Sequence, residues 1–212
     1  MKKAKDFHNI TVPTKVIYNG KAMEFEEEVE KENFLLCTGR IWDEGKNLRL
    51  LSKIAQNLPW PVYIAGNNVN PNTGNICEVE NVHFLGKLEP EELKLWMQRA
   101  EIFVSPTKYE PFGLSILEAA KAGCALALSN IDTLQELWHG NAIFFDPENA
   151  GEAEKVILEL ISDKDFRDKM ASRSKKAAET YCSKKMSSEY FELYKSLINS
   201  KKSEENLVGH DL

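Results

Sequence analysis

The stretch IFVSPTKYEPFGLSILEAAKAGCALALS, residues 102 to 129, decides the fold. It opens with an apolar run of strand length, IFVS (102–105), closed by Pro106, and passes through a turn at Pro111 and Gly113. A helix is predicted over 113–122, followed by a second apolar run, CALALS (124–129). Strand, helix and strand of these lengths form a βαβ unit, in which the two strands run parallel. Two carboxylates mark this unit: Glu110 stands just before the turn, and Glu118 lies inside the apolar helix. A buried carboxylate is costly unless something pairs with it, so two of them flanking one helix start suggest a bound partner.

The alternation continues on both sides. Upstream it predicts strand FLLCT (34–38), a helix from about Lys46 to Leu58, strands PVYIA (61–65) and VHFL (82–85), and a helix over 89–99. Leu48, Leu51, Ala55 and Leu58 recur at helical spacing in the first of these helices. Downstream it predicts a short helix over 132–138, strand AIFF (142–145), and helices over 153–161, 165–181 and 184–198, with Ser162-Asp163 and Ser183 as caps. Short apolar runs alternating with amphipathic helices predict an α/β fold, with a Rossmann-like parallel sheet covered by helices on both faces.

Four segments follow from this pattern. Residues 1–32 form a polar approach segment in which only VIYN (16–19) reads as a short strand, and the acidic run EFEEEVEKE reads as a solvated face. Residues 33–182 form the Rossmann-like domain, 183–198 a closing helix, and 199–212 a tail too poor in apolar surface to pack, expected to be disordered.

A chain of 212 residues with 42% hydrophobic content can build a sizeable core. Its net charge of -6 argues against a nucleic-acid partner, which calls for a broad basic face. No apolar run is long enough for a transmembrane segment, and MKKAKDFHNITVPTK lacks the apolar core of a signal peptide, so the expected location is cytoplasmic. Cys37, Cys77, Cys124 and Cys182 lie far apart without a CxxC pair, which fits neither a zinc site nor a disulfide framework. Cys37 and Cys124 fall in apolar runs and are expected in the core. Asp163-Lys164-Asp165 has the spacing of a metal-binding Asp-x-Asp but sits at a helix junction, where capping is the favoured use. His8, His83, His139 and His210 show no paired spacing, and no metal is expected.

The chemistry concentrates on one rim. The turn at Pro111 and Gly113 leaves the first amides of the following helix, around Leu114 and Ser115, pointing back along the axis, where they attract anions. Glu118 shares the face of Leu114 and Ser115, and helical side chains tilt toward the amino end. Two acids repel a phosphate, so their natural partners are hydroxyl donors, such as those of a sugar or a ribose. The plainer alternative is that Glu118 complements the helix dipole and Glu110 is a loop charge. The first strand, however, ends in TGRIWDEGKN, which delivers Gly39, Arg40 and Lys46 to the same rim, with Trp42 between the two cations. A flat guanidinium and a compact ammonium suit a diphosphate. Ligands of open α/β sheets bind beyond the carboxyl ends of the strands, where these residues fall.

In order, GRIWDEGKN, YIAG, NVHFLG and SPTKYEPFGLSILEAAKAG resemble the carboxyl-terminal half of the retaining GT-B glycosyltransferases of the glycogen-synthase and mannosyltransferase type. The resemblance runs from about Val16 to Leu197, and its most specific part is a Glu, seven residues, Glu motif with Phe112, Gly113 and Leu114 inside it. It implies a nucleotide-diphospho-sugar as substrate, gripped by Arg40 and Lys46 at the diphosphate, by Glu110 at the donor sugar and by Glu118 at the ribose, with the Leu114 and Ser115 amides completing the phosphate site. It also implies a reaction without a metal or other cofactor, in which Arg40, Lys46 and Glu110 carry the catalysis. Three departures stand out. The chain begins at what would be the interdomain linker, so an amino-terminal acceptor domain or a partner chain is expected to complete the enzyme, and this chain alone is expected to transfer no sugar. Residues Asn67 to Glu80 are short and Asn-rich where the family places another helix, and WDEGK replaces a Pro-containing approach to the lysine. The last helix, with Met186, Tyr190, Tyr194 and Leu197 at helical spacing, is similar to the family's closing helix. A binding module that senses or sequesters nucleotide-sugars, and half of a GT-B-fold sugar epimerase, are the alternative functions.

Overall fold

The computed structural model describes residues 11–25 and 29–208. The first ten residues, glutamates 26–28 of the acidic run and residues 209–212 of the tail lie outside the described residues. The chain divides into two compact units: one is Met23–Thr180, and the other joins the described residues up to Ala22 with those from Tyr181 onward.

The larger unit is a six-stranded sheet built from β1 (Glu32–Thr38), β2 (Val62–Ala65), β3 (His83–Gly86), β4 (Ala100–Ser105), β5 (Ala125–Ser129) and β6 (Ile143–Phe145). The spatial order is β3-β2-β1-β4-β5-β6, and every neighbouring pair is parallel. Strands buried on both faces are near-continuous apolar runs, as in Phe34 to Cys37 and Ala125 to Leu128. On one face Leu35, Cys37, Ile64, Ile102, Val104 and Ala127 share a core with Leu51 and Ile54 of α1 (Arg49–Ile54) and Ile157 and Leu160 of α5 (Ala150–Ser162). Full burial of each such Leu or Ile side chain contributes about 1.5 to 3 kcal/mol.

The remaining helices of this unit are α2 (Pro90–Arg99), α3 (Leu114–Lys121), α4 (Asp132–Trp138) and α6 (Lys164–Ala178). A capping box between Glu89 and Glu92 with a proline in the first turn starts α2. At the junction of α5 and α6 the Asp163 carboxylate accepts from the Phe166 amide at 2.9 Å, which is the capping role expected for the Asp-Lys-Asp run. Lys31, just ahead of the sheet, inserts its ammonium between two helix ends and donates to the carbonyls of Ala100 at 2.7 Å and Ala122 at 3.0 Å. Those residues close α2 and α3, whose carboxyl ends carry the negative pole of the helix dipole.

Several boundaries differ from the sequence reading. The helix expected from Lys46 to Leu58 is split: Glu44–Lys46 is a separate 3-10 turn, α1 begins at Arg49, and Ala55–Asn57 is again 3-10. The break is at Asn47, whose left-handed backbone (φ 53°) cannot continue a right-handed helix. β4 starts at Ala100 because α2 ends there directly into extended backbone paired with Glu32. Residues 67–80 form a loop closed by an antiparallel bridge between Val69 and Ile76, and Cys77, Val79 and Val82 pack on the core beside it.

In the smaller unit VIYN is not a strand, contrary to expectation: Val16 and Tyr18 are exposed, and Tyr18 sets its ring edge against Tyr181 at 5.9 Å. The cap before α7 (Ser183–Val208) is Cys182 rather than Ser183, since its sulfur and carbonyl accept from the amides of Lys185 and Met186. α7 continues to Val208, through most of the segment read as a disordered tail. Among the described residues no helix is long and apolar enough to cross a membrane.

Candidate functional site

The strand order places one reversal in the sheet. From β1 the chain steps outward to β2 and β3, then crosses back to β4 and steps outward the other way, so the loops after β1 and β4 diverge. Such a divergence opens a crevice at the carboxyl ends of the two strands. All the residues expected to bind a ligand lie on these two loops and on α3.

The β1 loop is held tightly to its neighbour. The amides of Gly39 and Ile41 donate to the carbonyls of Ala65 and Asn67 at 3.0 and 2.9 Å, continuing the β1–β2 ladder past the strands. A Cβ at Gly66 would lie 1.8 Å from the Gly39 carbonyl oxygen, so only glycine fits there. Arg40 follows with its side chain 55% exposed; it donates to the Asp43 carboxylate at 2.5 Å, and its guanidinium lies 5.0 Å from the centre of the Trp42 ring. Asp43 also accepts from the Gly45 amide at 2.9 Å, which folds residues 44–46 into the 3-10 turn that carries Lys46.

Lys46 meets Glu110 across the crevice, its Nζ donating to Oε2 at 2.7 Å. Their side chains are 27% and 14% exposed, so this pair is screened less than one on the open surface. The backbone beneath it is fixed from both sides. The Gly45 carbonyl accepts from the Lys108 amide and the Thr107 hydroxyl, each at 2.8 Å, and the Thr133 hydroxyl donates to the Glu110 carbonyl at 2.6 Å. Asn47 donates through its amide nitrogen to the carbonyls of Pro106 and Pro147, both at 2.9 Å. Behind the turn, burial pushes the Cys37 thiol up to about 12 against the opposing effect of the Lys46 charge.

The third component is the start of α3. Gly113 occupies the N-cap position with φ 83°, where a Cβ would come within 2.7 Å of Ile116, and no side chain caps the helix. Its first amides, at Leu114 and Ser115, are therefore left for a ligand or solvent. Phe112 is buried beside them, its amide 3.4 Å from the second Glu110 oxygen. Glu118 is 9% exposed, one turn inside the helix.

The structure thus brings Lys46 and Glu110 into contact and sets Phe112, Gly113, Leu114 and Ser115 directly after Glu110. It turns Arg40 toward Asp43 and Trp42 rather than toward Glu110. Sequence reasoning did not include Asp43, Asn47, Thr107 and Thr133 in the site. Asp43 carried a legible signal, an Asp just ahead of a Gly-containing turn. The other three act across loops distant in sequence, and nothing local marks them.

A parallel sheet in this order, with Lys46, the carboxylates and an uncapped helix start at its reversal point, is a Rossmann-like domain, and ligands of such sheets bind at that point. Residues 20–177 match the family model of glycosyl transferases group 1, and the chain belongs to that family. An uncharacterized glycosyltransferase of Methanocaldococcus jannaschii is 29% identical over 188 residues, 76% of this chain and 48% of the relative. The O-antigen chain mannosyltransferase B of Escherichia coli is 28% identical over 116 residues, 55% of this chain and 30% of its own length. Among solved structures, S. aureus TarM, in a mutant form determined with Fondaparinux, alpha-GlcNAc-glycerol and UDP, superposes with a TM-score of 0.74 at 16% identity, over 91% of this chain and 42% of its own. Sucrose-phosphate synthase from Thermosynechococcus elongatus gives 0.71 at 19% identity, over 80% and 46%. These likenesses show the expected α/β fold, which is shared with GT-B glycosyltransferases. The chain spans about half the length of the first of these relatives, and less of the second.

Proposed function

We propose that the crevice between β1 and β4 holds a nucleotide-diphospho-sugar and that this unit is the donor-binding half of a retaining glycosyltransferase. The observation that carries the reading is the Lys46–Glu110 pair at 2.7 Å, set beside the uncapped start of α3 at the sheet's reversal point. A cation and free helix amides suit a diphosphate, and the carboxylates of Glu110 and Glu118 suit the hydroxyls of a sugar and a ribose.

As the bond to the sugar breaks, negative charge grows on the leaving diphosphate. Lys46, Arg40 and the amides of Leu114 and Ser115 stabilise that charge from fixed positions, which is electrostatic catalysis. Arg40 reaches the ligand by leaving Asp43, a short swing for a half-exposed side chain. The resemblance to the retaining GT-B enzymes supports retention of configuration as part of this proposal, which leaves the acceptor side of the reaction to a second domain or chain. Calorimetric titration with UDP, GDP, ADP and their sugar conjugates tests the donor site. Binding of one base series, with a tighter sugar conjugate, is expected. No measurable binding in any series overturns the proposal.

A further inference from the structure

Asn47 is unusual in what it joins. It follows Lys46 directly, its backbone is left-handed, and its side-chain amide donates to Pro106 in the loop after β4 and to Pro147 in the loop after β6. Three loops separated by 59 and 100 residues therefore meet at one side chain. The same turn is held from the other side by Thr107 and the Lys108 amide, both on the Gly45 carbonyl. Lys46 lies between these two anchors, and Glu110 lies on the loop that Asn47 grips at Pro106.

We infer that Asn47 is a positioning residue for the donor site: its two hydrogen bonds fix the Lys46 turn against the β4 loop and so set the Lys46–Glu110 geometry. This rests on the donor-site reading above. The chemistry requires both properties of asparagine. The left-handed backbone is open to Gly, Asn and Asp. Only Asn among these offers an NH₂ group whose two hydrogens can each meet one carbonyl. Aspartate would face both carbonyls with acceptors alone, and glycine would leave them without a side-chain donor. A residue that only supplied the turn would be replaceable by either.

Asn47→Gly and Asn47→Asp separate the two roles. With UDP, GDP and ADP as probes, each variant is expected to bind about tenfold more weakly than the parent chain, from the loss of two neutral hydrogen bonds that order the site. Hydrogen exchange at the Lys108 amide, which donates to Gly45, is expected to speed up in both. Parent-like affinity and parent-like Lys108 protection in both variants would overturn the inference and leave Asn47 a turn residue only. If either variant fails to fold, the parent chain decides through its own NMR signals. Slow exchange of the Asn47 side-chain amide protons, kept when nucleotide is added, supports the clamp, and solvent-like exchange overturns it. Lys46→Ala serves as the control on the underlying reading. Nucleotide binding unaffected by Lys46→Ala sinks the donor site, while Lys108 exchange still reports on the clamp.

Discussion

Replacing Lys46 by alanine should weaken nucleoside-diphosphate binding far more than replacing Arg40, although the sequence presents the two cations as equals. Lys46→Ala removes one charge-assisted contact to the ligand, about 1.5 to 3 kcal/mol. It also leaves Glu110, 14% exposed, without its counter-charge beside the bound diphosphate. For unit charges about 6 Å apart at an effective dielectric of about 20, that repulsion is about 3 kcal/mol, and partial solvent screening reduces it to about half. The total, about 3 to 5 kcal/mol, corresponds to at least about a hundredfold rise in Kd. Arg40 is 55% exposed and already paired with Asp43, so its loss removes a single screened contact, about 1.5 kcal/mol or roughly tenfold. Isothermal titration of Arg40→Ala, Lys46→Ala and the double variant Lys46→Ala with Glu110→Gln measures this ordering. The double variant should regain about tenfold over Lys46→Ala, because the repulsive charge has gone. Equal losses in the two single variants, or no recovery in the double, would refute the electrostatic reasoning.

Further outcomes follow from the same geometry. Glu118→Gln should weaken a plain nucleoside diphosphate and its sugar conjugate alike, by about 1 to 3 kcal/mol, whereas Glu110→Gln should cost the sugar conjugate its hydroxyl contact and cause no loss on the plain nucleotide; equal losses on the plain nucleotide would show the two roles to be misassigned. Gly66→Ala forces a Cβ to within 1.8 Å of the Gly39 carbonyl oxygen, and a cost of about 3 kcal/mol should lower Tm by about 6 to 12 °C in a thermal melt. Burial raises the thiols of Cys37, to about 12, and Cys124, so the native state keeps protons that the unfolded chain loses above about pH 8.5. Stability should therefore be undiminished by these groups below that pH and fall above it, Cys37 contributing a slope of about 1.4 kcal/mol per pH unit as pH rises toward 12 and Cys124 adding a fall of the same sign. Urea midpoints from pH 8 to 10.5 test this, and Cys37→Ala should flatten the fall.

The fold was readable because its strands are short apolar runs that differ in length and period from the helices between them. Leu35 to Cys37 and Ala125 to Leu128 have no polar interruption, and burial on both faces is the physical cause. The pairing of Lys46 with Glu110 was readable only as convergence on one rim, since the two residues lie 64 positions apart. What local sequence could not give was backbone conformation at single residues. The left-handed turn at Asn47 split a helix whose apolar spacing is otherwise regular, and the capping of α7 by Cys182 displaced the better capping residue beside it. VIYN has β-branched and aromatic residues but pairs with no strand among the described residues, so composition alone misled.

The ammonium of Lys31 has a consequence for where this domain begins. Its carbonyl partners close two helices whose poles would otherwise face each other with like sign. A chain trimmed to start at Asn33, where the apolar pattern begins, would lose none of the buried apolar core, yet it would leave two like poles without their counter-ion. The polar approach to the first strand is thus part of the domain's electrostatic frame, and hydropathy alone would set the cut in the wrong place.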